Sequence, residues 1–209
     1  MPTESAQAAL SHLREPGDFQ WYVIPLLVIV LYIYHDQIGR KNYSVVFAGL
    51  ALWGMDWFNE TWNSLIFHFT SYAPAWAAPG ETAYLILIGL NIEICFMFAI
   101  LGIVTTVMLP AKEAKIVGIP NRWFFAVFFS ALAVFIEYLL NYVGALTWDY
   151  PWWNRSAPWL IFLLGYFPFF VVAYWVHDMK TTKHQAIAVG AILGFDVLCL
   201  VVFGSLGWI

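Results

Sequence analysis

Charge is what this sequence has least of. Of its 209 residues only 9 are Lys or Arg and 13 are Asp or Glu, together 11%, while 62% are hydrophobic. Soluble domains carry roughly a quarter charged residues, so the balance excludes an ordinary soluble domain and points to a membrane protein. A net charge of -4 with no basic run excludes a nucleic-acid surface. Cysteine is scarce too: Cys95 and Cys199 each fall in an apolar run, as small buried hydrophobes rather than a disulfide framework. No HxxxH, ExxH or CxxC spacing occurs, so the sequence offers no zinc or di-iron signature and implies no cofactor. A cation held by carboxylates alone stays open. The five lysines all lie outside the apolar runs, which excludes a retinal-type Schiff base. The first residues lack the basic start and small-residue cleavage site of a secretory signal, so the first apolar run is expected to be retained.

What is abundant is apolar length. A spanning helix needs about 20 mainly apolar residues, and six segments qualify: 19–35, 44–67, 83–109, 123–146, 158–176 and 186–208. The expected architecture is an all-α integral membrane bundle of six helices over residues 19–209, preceded by a polar tail over 1–18. Loops one, three and five hold Arg40, Lys41, Lys112, Lys115, Arg122, Lys180 and Lys183, against only Arg14 and Arg155 on the other side. By the positive-inside rule both termini lie outside, in a protein of the plasma membrane whose first partner is the bilayer.

Against that background DWFNETWN, residues 56–63, is anomalous. Asp56, Asn59, Glu60 and Asn63 follow the i, i+3, i+4, i+7 spacing of one helix face. Glu137 and Asn141 repeat the idea in the fourth run, Asn91 and Glu93 lie in the third, and Asp196 lies in the sixth. At a rise of 1.5 Å per residue the five acids fall about 17 to 24 Å from the basic end, in one slab. Each costs on the order of 3 kcal/mol if left facing lipid, so they are expected to converge inside the bundle. Carboxylates crowded in a dry cavity cannot all ionise. A neutral acid beside an ionised one is an acid–base pair.

The expected site therefore has Glu60, Asp56, Glu137 and Asp196 moving protons. Asn59, Asn63, Glu93, Asn141, Trp62 and Tyr138 contact an apolar or lipid-like small molecule. The aromatic loops SYAPAWAAPGE and TWDYPWWNRSAPW read as caps at headgroup level. Each follows a helix bearing Glu and then Asn, the trace of an internal repeat.

Glu60 within NETWN and Asp196 within GFDVL resemble the paired acids of the transmembrane terpene cyclases of meroterpenoid pathways. That resemblance implies protonation and carbocation quenching on an isoprenoid. The chain departs from the family in having six apolar runs rather than seven, and Asn63 where the family has Glu. The leading expectation is a membrane-embedded cyclase or isomerase acting on an isoprenoid, sterol-like or other lipid. The alternatives are a proton- or cation-coupled transporter and a non-catalytic lipid-binding scaffold. Oligomeric state is not legible in the sequence.

Overall fold

A computed structural model describes all residues, 1–209. Long helices account for most of the chain: α2 (Val23–Gly39), α3 (Tyr43–Thr70), α4 (Ile92–Val107) and α5 (Asn121–Tyr142). A sixth-run helix, α8, covers Thr182–Ser205. The fifth apolar run is one 20-residue helix, Pro158–His177, made of a turn of α6 (Pro158–Leu160), a π-helical stretch (Ile161–Tyr166) and α7 (Phe167–His177). Three helices are long and apolar enough to cross a membrane: Asn121–Tyr142, Pro158–His177 and Thr182–Ser205. Their outward faces are apolar, with Phe128, Phe135, Leu163, Trp175, Leu198 and Val201 exposed, while Asp56, Glu60, Glu137 and Asp196 are buried. This inversion of the soluble pattern is what a lipid solvent demands.

Local chemistry sets the helix ends. Asn91 caps α4 by accepting from the Ile94 N–H at 2.8 Å, and Thr181 caps α8 through His184 N–H at 3.2 Å. Ser71 in the left-handed region closes α3, and Gly144, also at positive φ, follows α5. Hydroxyls inside the helices bond back to carbonyls one turn earlier (Thr61 to Trp57, Thr106 to Gly102, Ser130 to Ala126), so they cost little in an apolar setting.

Helix α3 is the centre, packed by α4, α7, α8 and α2. Its close approach to α4 needs two glycines, since a Cβ on Gly102 would sit 2.8 Å from Gly49 Cα. The main core cluster (Ala48, Leu52, Phe98, Ala126, Phe129, Phe170 among its members) fills the half of the bundle nearer the basic loops. Helix α5 takes its packing mainly from α7 and the π stretch.

The other end carries a cap. The polar tail 1–18 is part of it: α1 (Glu4–His12) buries Ala6 and Ala9 and ties to the loops through Thr3 N–H to Tyr72 O and Thr3 Oγ1 to Asp149 Oδ2, both 2.9 Å. Residues 83–91 do not begin a helix. They form a hairpin of β1 (Leu85–Leu87) and β2 (Leu90–Asn91), and a second small hairpin, β3 (Lys115–Ile116) with β4 (Ile119–Pro120), precedes α5. The chain is therefore mostly helical rather than purely so. A short apolar run such as LILIGL fits a buried strand as well as a helix by periodicity. The neighbouring α1 and loop atoms decide between them.

Candidate functional site

Below the cap, on the inner face of α3, lies a cavity of about 50 Å³ lined by Asp56, Asn59, Glu60, Glu137, Tyr166 and Trp76, with an apolar wall including Ile94, Met97, Phe98 and Leu140. No Lys or Arg reaches it. The space suits a few waters or the end of a chain.

Glu60 is 3% exposed. Its Oε1 accepts the Trp76 indole N–H at 2.8 Å, while its Oε2 is buried with no partner. Trp76 is delivered by Asn63, whose amide bonds the Trp76 backbone twice, Nδ2 to the carbonyl at 2.8 Å and Oδ1 from the N–H at 3.2 Å. Glu137 repeats the arrangement on α5: its Oε1 accepts the Trp148 indole N–H at 3.1 Å. One turn on, Asn141 Nδ2 holds the Leu146 carbonyl at 3.0 Å and so fixes the loop that carries Trp148. Each carboxylate thus has one oxygen held by an indole whose loop is clamped by an asparagine on the same helix. Asn63 and Asn141 position those loops and do not line the cavity.

Asn59 also serves structure. Pro168 has no N–H to give the Leu164 carbonyl, and the helix widens into its π stretch just before it. Asn59 Nδ2 donates to the carbonyls of Leu164 (3.4 Å) and Gly165 (3.0 Å), and its Oδ1 accepts Trp62 Nε1 at 2.8 Å. Trp62 in turn meets Trp76 and Trp153 edge-on, at 5.1 and 5.7 Å between centroids, and Trp76 stacks on Trp153 at 5.3 Å. This indole trio seals the cavity from the cap side.

Asp56 lines the cavity one turn below Glu60, with Oδ2 buried and unpartnered. Asp196 does not line it. It sits behind, in the α3–α8 seam, where a Cβ on Gly54 would lie 3.4 Å from Asp196 Oδ2, an oxygen that also lacks a partner. Two further expectations are corrected. Glu93 belongs to the cap, where Thr82 Oγ1 (2.6 Å), Ala83 N–H (2.8 Å) and the Tyr22 hydroxyl donate to it; with α4 starting only at Ile92, it never enters the acidic layer. Tyr138 is 39% exposed and turned outward under Arg155, 5.3 Å from its ring, because one residue from Glu137 is a rotation of about 100°.

Trp76, Trp148, Trp153 and Tyr166 were not singled out by sequence as site residues. Their signal is the tryptophan-rich loops, which from sequence read first as interfacial anchors. His, Cys, Asp and Glu side chains form no group of three that could hold a metal ion.

The architecture of buried acids under an indole cap extends over nearly the whole chain, and so does its kinship. The chain belongs to an uncharacterized membrane protein family, matching it over residues 3–205. It is similar to an uncharacterized protein of Archaeoglobus fulgidus at 57% identity over 211 residues, covering 100% of both chains. A second uncharacterized protein of that organism is 58% identical over 53 residues, 25% of this chain and 95% of its own. No solved structure matches.

Proposed function

We propose that the protein is a membrane-embedded enzyme that moves protons on the unsaturated end of an apolar chain lipid, with Glu60 and Glu137 as the acid–base pair. The observation that carries this reading is Glu60 itself, buried on the cavity wall with one oxygen held by Trp76 and the other free of any partner. Glu60 gives its proton to one carbon of a double bond and Glu137 takes one from the neighbouring position. The double bond shifts, atoms balance and nothing is oxidised. Glu137, now protonated, returns its proton across the shared cavity to Glu60, with Asp56 on the same wall as the relay, so the pair is reset and no net proton is consumed.

The cavity argues for a chain end. Ligand pockets for whole molecules run to about 300–1,000 Å³, so a sterol nucleus does not fit in about 50 Å³. The wall supplies a route for the remainder of the chain: Met97 lines the cavity yet is 44% exposed, on the side where α4 and α5 are only sparsely packed against each other. An apolar chain in the bilayer can reach the acids sideways through that gap. The cyclase resemblance is carried no further, because neither the family nor the relatives name an activity.

The reading takes α2, α3, α4, α5, the Pro158–His177 helix and α8 as six spans with both termini and the cap outside, supported by the basic residues gathered at the opposite end. Helices α2 and α4, of 17 and 16 residues, reach only about 24–26 Å at 1.5 Å per residue, and the cap loops complete the thickness.

A second reading, proton or cation transport, draws on the unpartnered oxygens of Asp196, Asp56 and Glu60. Against it stands the apolar plug of Ala48, Leu52, Phe129 and Phe170, which separates the acids from the basic end.

The deciding experiment holds the purified protein in nanodiscs made with a total membrane lipid extract in D2O and follows deuterium incorporation into chain carbons by mass spectrometry. The wild type is expected to label an unsaturated chain, and Glu60→Gln and Glu137→Gln to slow labelling by about 10²–10⁴-fold, the range of general acid–base catalysis. Absence of labelling with the wild type, alongside proton flux in proteoliposomes, replaces the enzyme with the transporter.

A further inference from the structure

At the end opposite the cap, a separate open cavity of about 410 Å³ lies between the start of α5 and the end of α7. Four kinds of group converge there. Arg122 holds Asp178 through Nε (3.2 Å) and Nη2 (2.8 Å) and uses Nη1 on the Pro110 carbonyl, which leaves one Nη2 hydrogen free. Lys112 is 61% exposed, and its Nζ lies 3.5 Å from Asp178, a loose contact that leaves its other hydrogens unused. Tyr174 lines the cavity at 2% exposure, and its hydroxyl is buried with no partner. Pro120 also lines it, at the N-terminus of the 22-residue α5, which no side chain caps; the Asn121 N–H is taken by the Ala114 carbonyl at 3.2 Å, and the next N–H groups, of Arg122 and Trp123, have no intrahelical acceptor. On the rim stand two exposed indoles, Trp123 (52%) and Trp175 (60%).

These are the parts of an anion site. Lys112 and Arg122 together exceed Asp178 by one positive charge, and every unused polar group among Lys112, Arg122, Tyr174 and the α5 amides is a donor. Exposed tryptophans mark the level of lipid headgroups. We infer that this cavity binds a phosphate group at the membrane surface, with the phosphate between Lys112, the α5 N-terminus and the Tyr174 hydroxyl, and the two indoles flanking the ester it belongs to. Asp178 keeps the guanidinium fixed, and Lys112 swings from Asp178 to the phosphate. This site stands apart from the carboxylate cavity and does not depend on the proposed chemistry.

The test uses full-length, delipidated protein in detergent. Native mass spectrometry compares dioleoyl phosphatidic acid, phosphatidylglycerol and phosphatidylcholine, and thermal shift compares inorganic phosphate with chloride. The anionic lipids are expected to bind at least fivefold more tightly than phosphatidylcholine, with that preference lost in Lys112→Ala and reduced in Tyr174→Phe. The latter removes one oxygen and keeps the packing. Trp123→Ala is expected to weaken lipid binding and leave inorganic phosphate unaffected. Stabilisation by inorganic phosphate with no lipid preference, abolished in Lys112→Ala, supports the phosphate site and assigns it to a soluble ester. Equal binding of anionic lipid by wild type, Lys112→Ala and Tyr174→Phe, or no binding of any phosphate by wild type, overturns it.

Discussion

Ala77 and Thr147 exchange both backbone hydrogen bonds, Ala77 N–H to Thr147 O at 3.1 Å and Thr147 N–H to Ala77 O at 2.9 Å. One residue before Ala77 is Trp76, which holds Glu60; one residue after Thr147 is Trp148, which holds Glu137. The pairing joins the two clamped loops and fixes the two indoles, hence the two carboxylates, on either side of one seam. Thr147→Pro deletes one of the two N–H groups and leaves the Ala77 carbonyl short of its donor. We expect it to lower thermal stability in detergent and to loosen both clamps, read as faster amide exchange at 74–78 and 145–149.

Asn63→Ala removes both partners of the buried Trp76 backbone. An orphaned buried group costs about 1–3 kcal/mol, so with two such groups a loss of about 2–6 kcal/mol is expected. Asn141→Ala, which removes the partner of one carbonyl in a part-buried hydrogen bond, should cost less. Denaturation followed by tryptophan fluorescence compares the two.

Replacing Asn59 with leucine tests the π stretch. The Leu164 and Gly165 carbonyls and the Trp62 indole all lose their partner. We expect a drop in melting temperature larger than for the same change at Asn154, whose amide serves an exposed turn. Equal drops would count against the role given to Asn59.

Two glycines of similar appearance should behave oppositely. A Cβ on Gly54 would approach Ile192 Cγ2 to 2.6 Å, whereas nothing lies within 4 Å of one on Gly194. Gly54→Leu is expected to cost about 1–3 kcal/mol by overpacking and to part Asp56 from Asp196. Gly194→Ala should be neutral or slightly stabilising. Melting curves of both variants decide.

Asp178 gives a pH dependence. Burial pushes its carboxyl up, but hydrogen bonds and charge from Arg122, with Lys112, outweigh this and hold it below its ordinary value of 3.8. A carboxylate lowered by folding stabilises the protein above its unfolded value and loses that stabilisation as pH falls through the folded one. Asp178→Asn should therefore melt below the wild type at pH 7, with the gap closing as the pH drops under about 4. A gap independent of pH would remove Asp178 from the ion pair.

Much of this was legible in sequence, for a physical reason. Apolar length and turn residues are local, so the run 44–67 became α3 (Tyr43–Thr70) and the run 158–176 the Pro158–His177 helix. The cost of acids in lipid is also local knowledge, and Asp56, Glu60, Glu137 and Asp196 are all buried. What the sequence by itself could not determine is which atoms meet. Asp196 was expected in the cavity and lies behind it, because the rotation of α8 is set by the space at Gly54. Glu93 was assigned to the acidic layer and belongs to the cap, because packing by α1 and the loops turns 85–91 into a hairpin. Asn63 and Asn141, which spacing places on the faces of the acids, hold backbone in loops 13 and 5 residues away. Spacing along a helix fixes the face a side chain shares; only tertiary structure brings a distant indole to the carboxylate on that face.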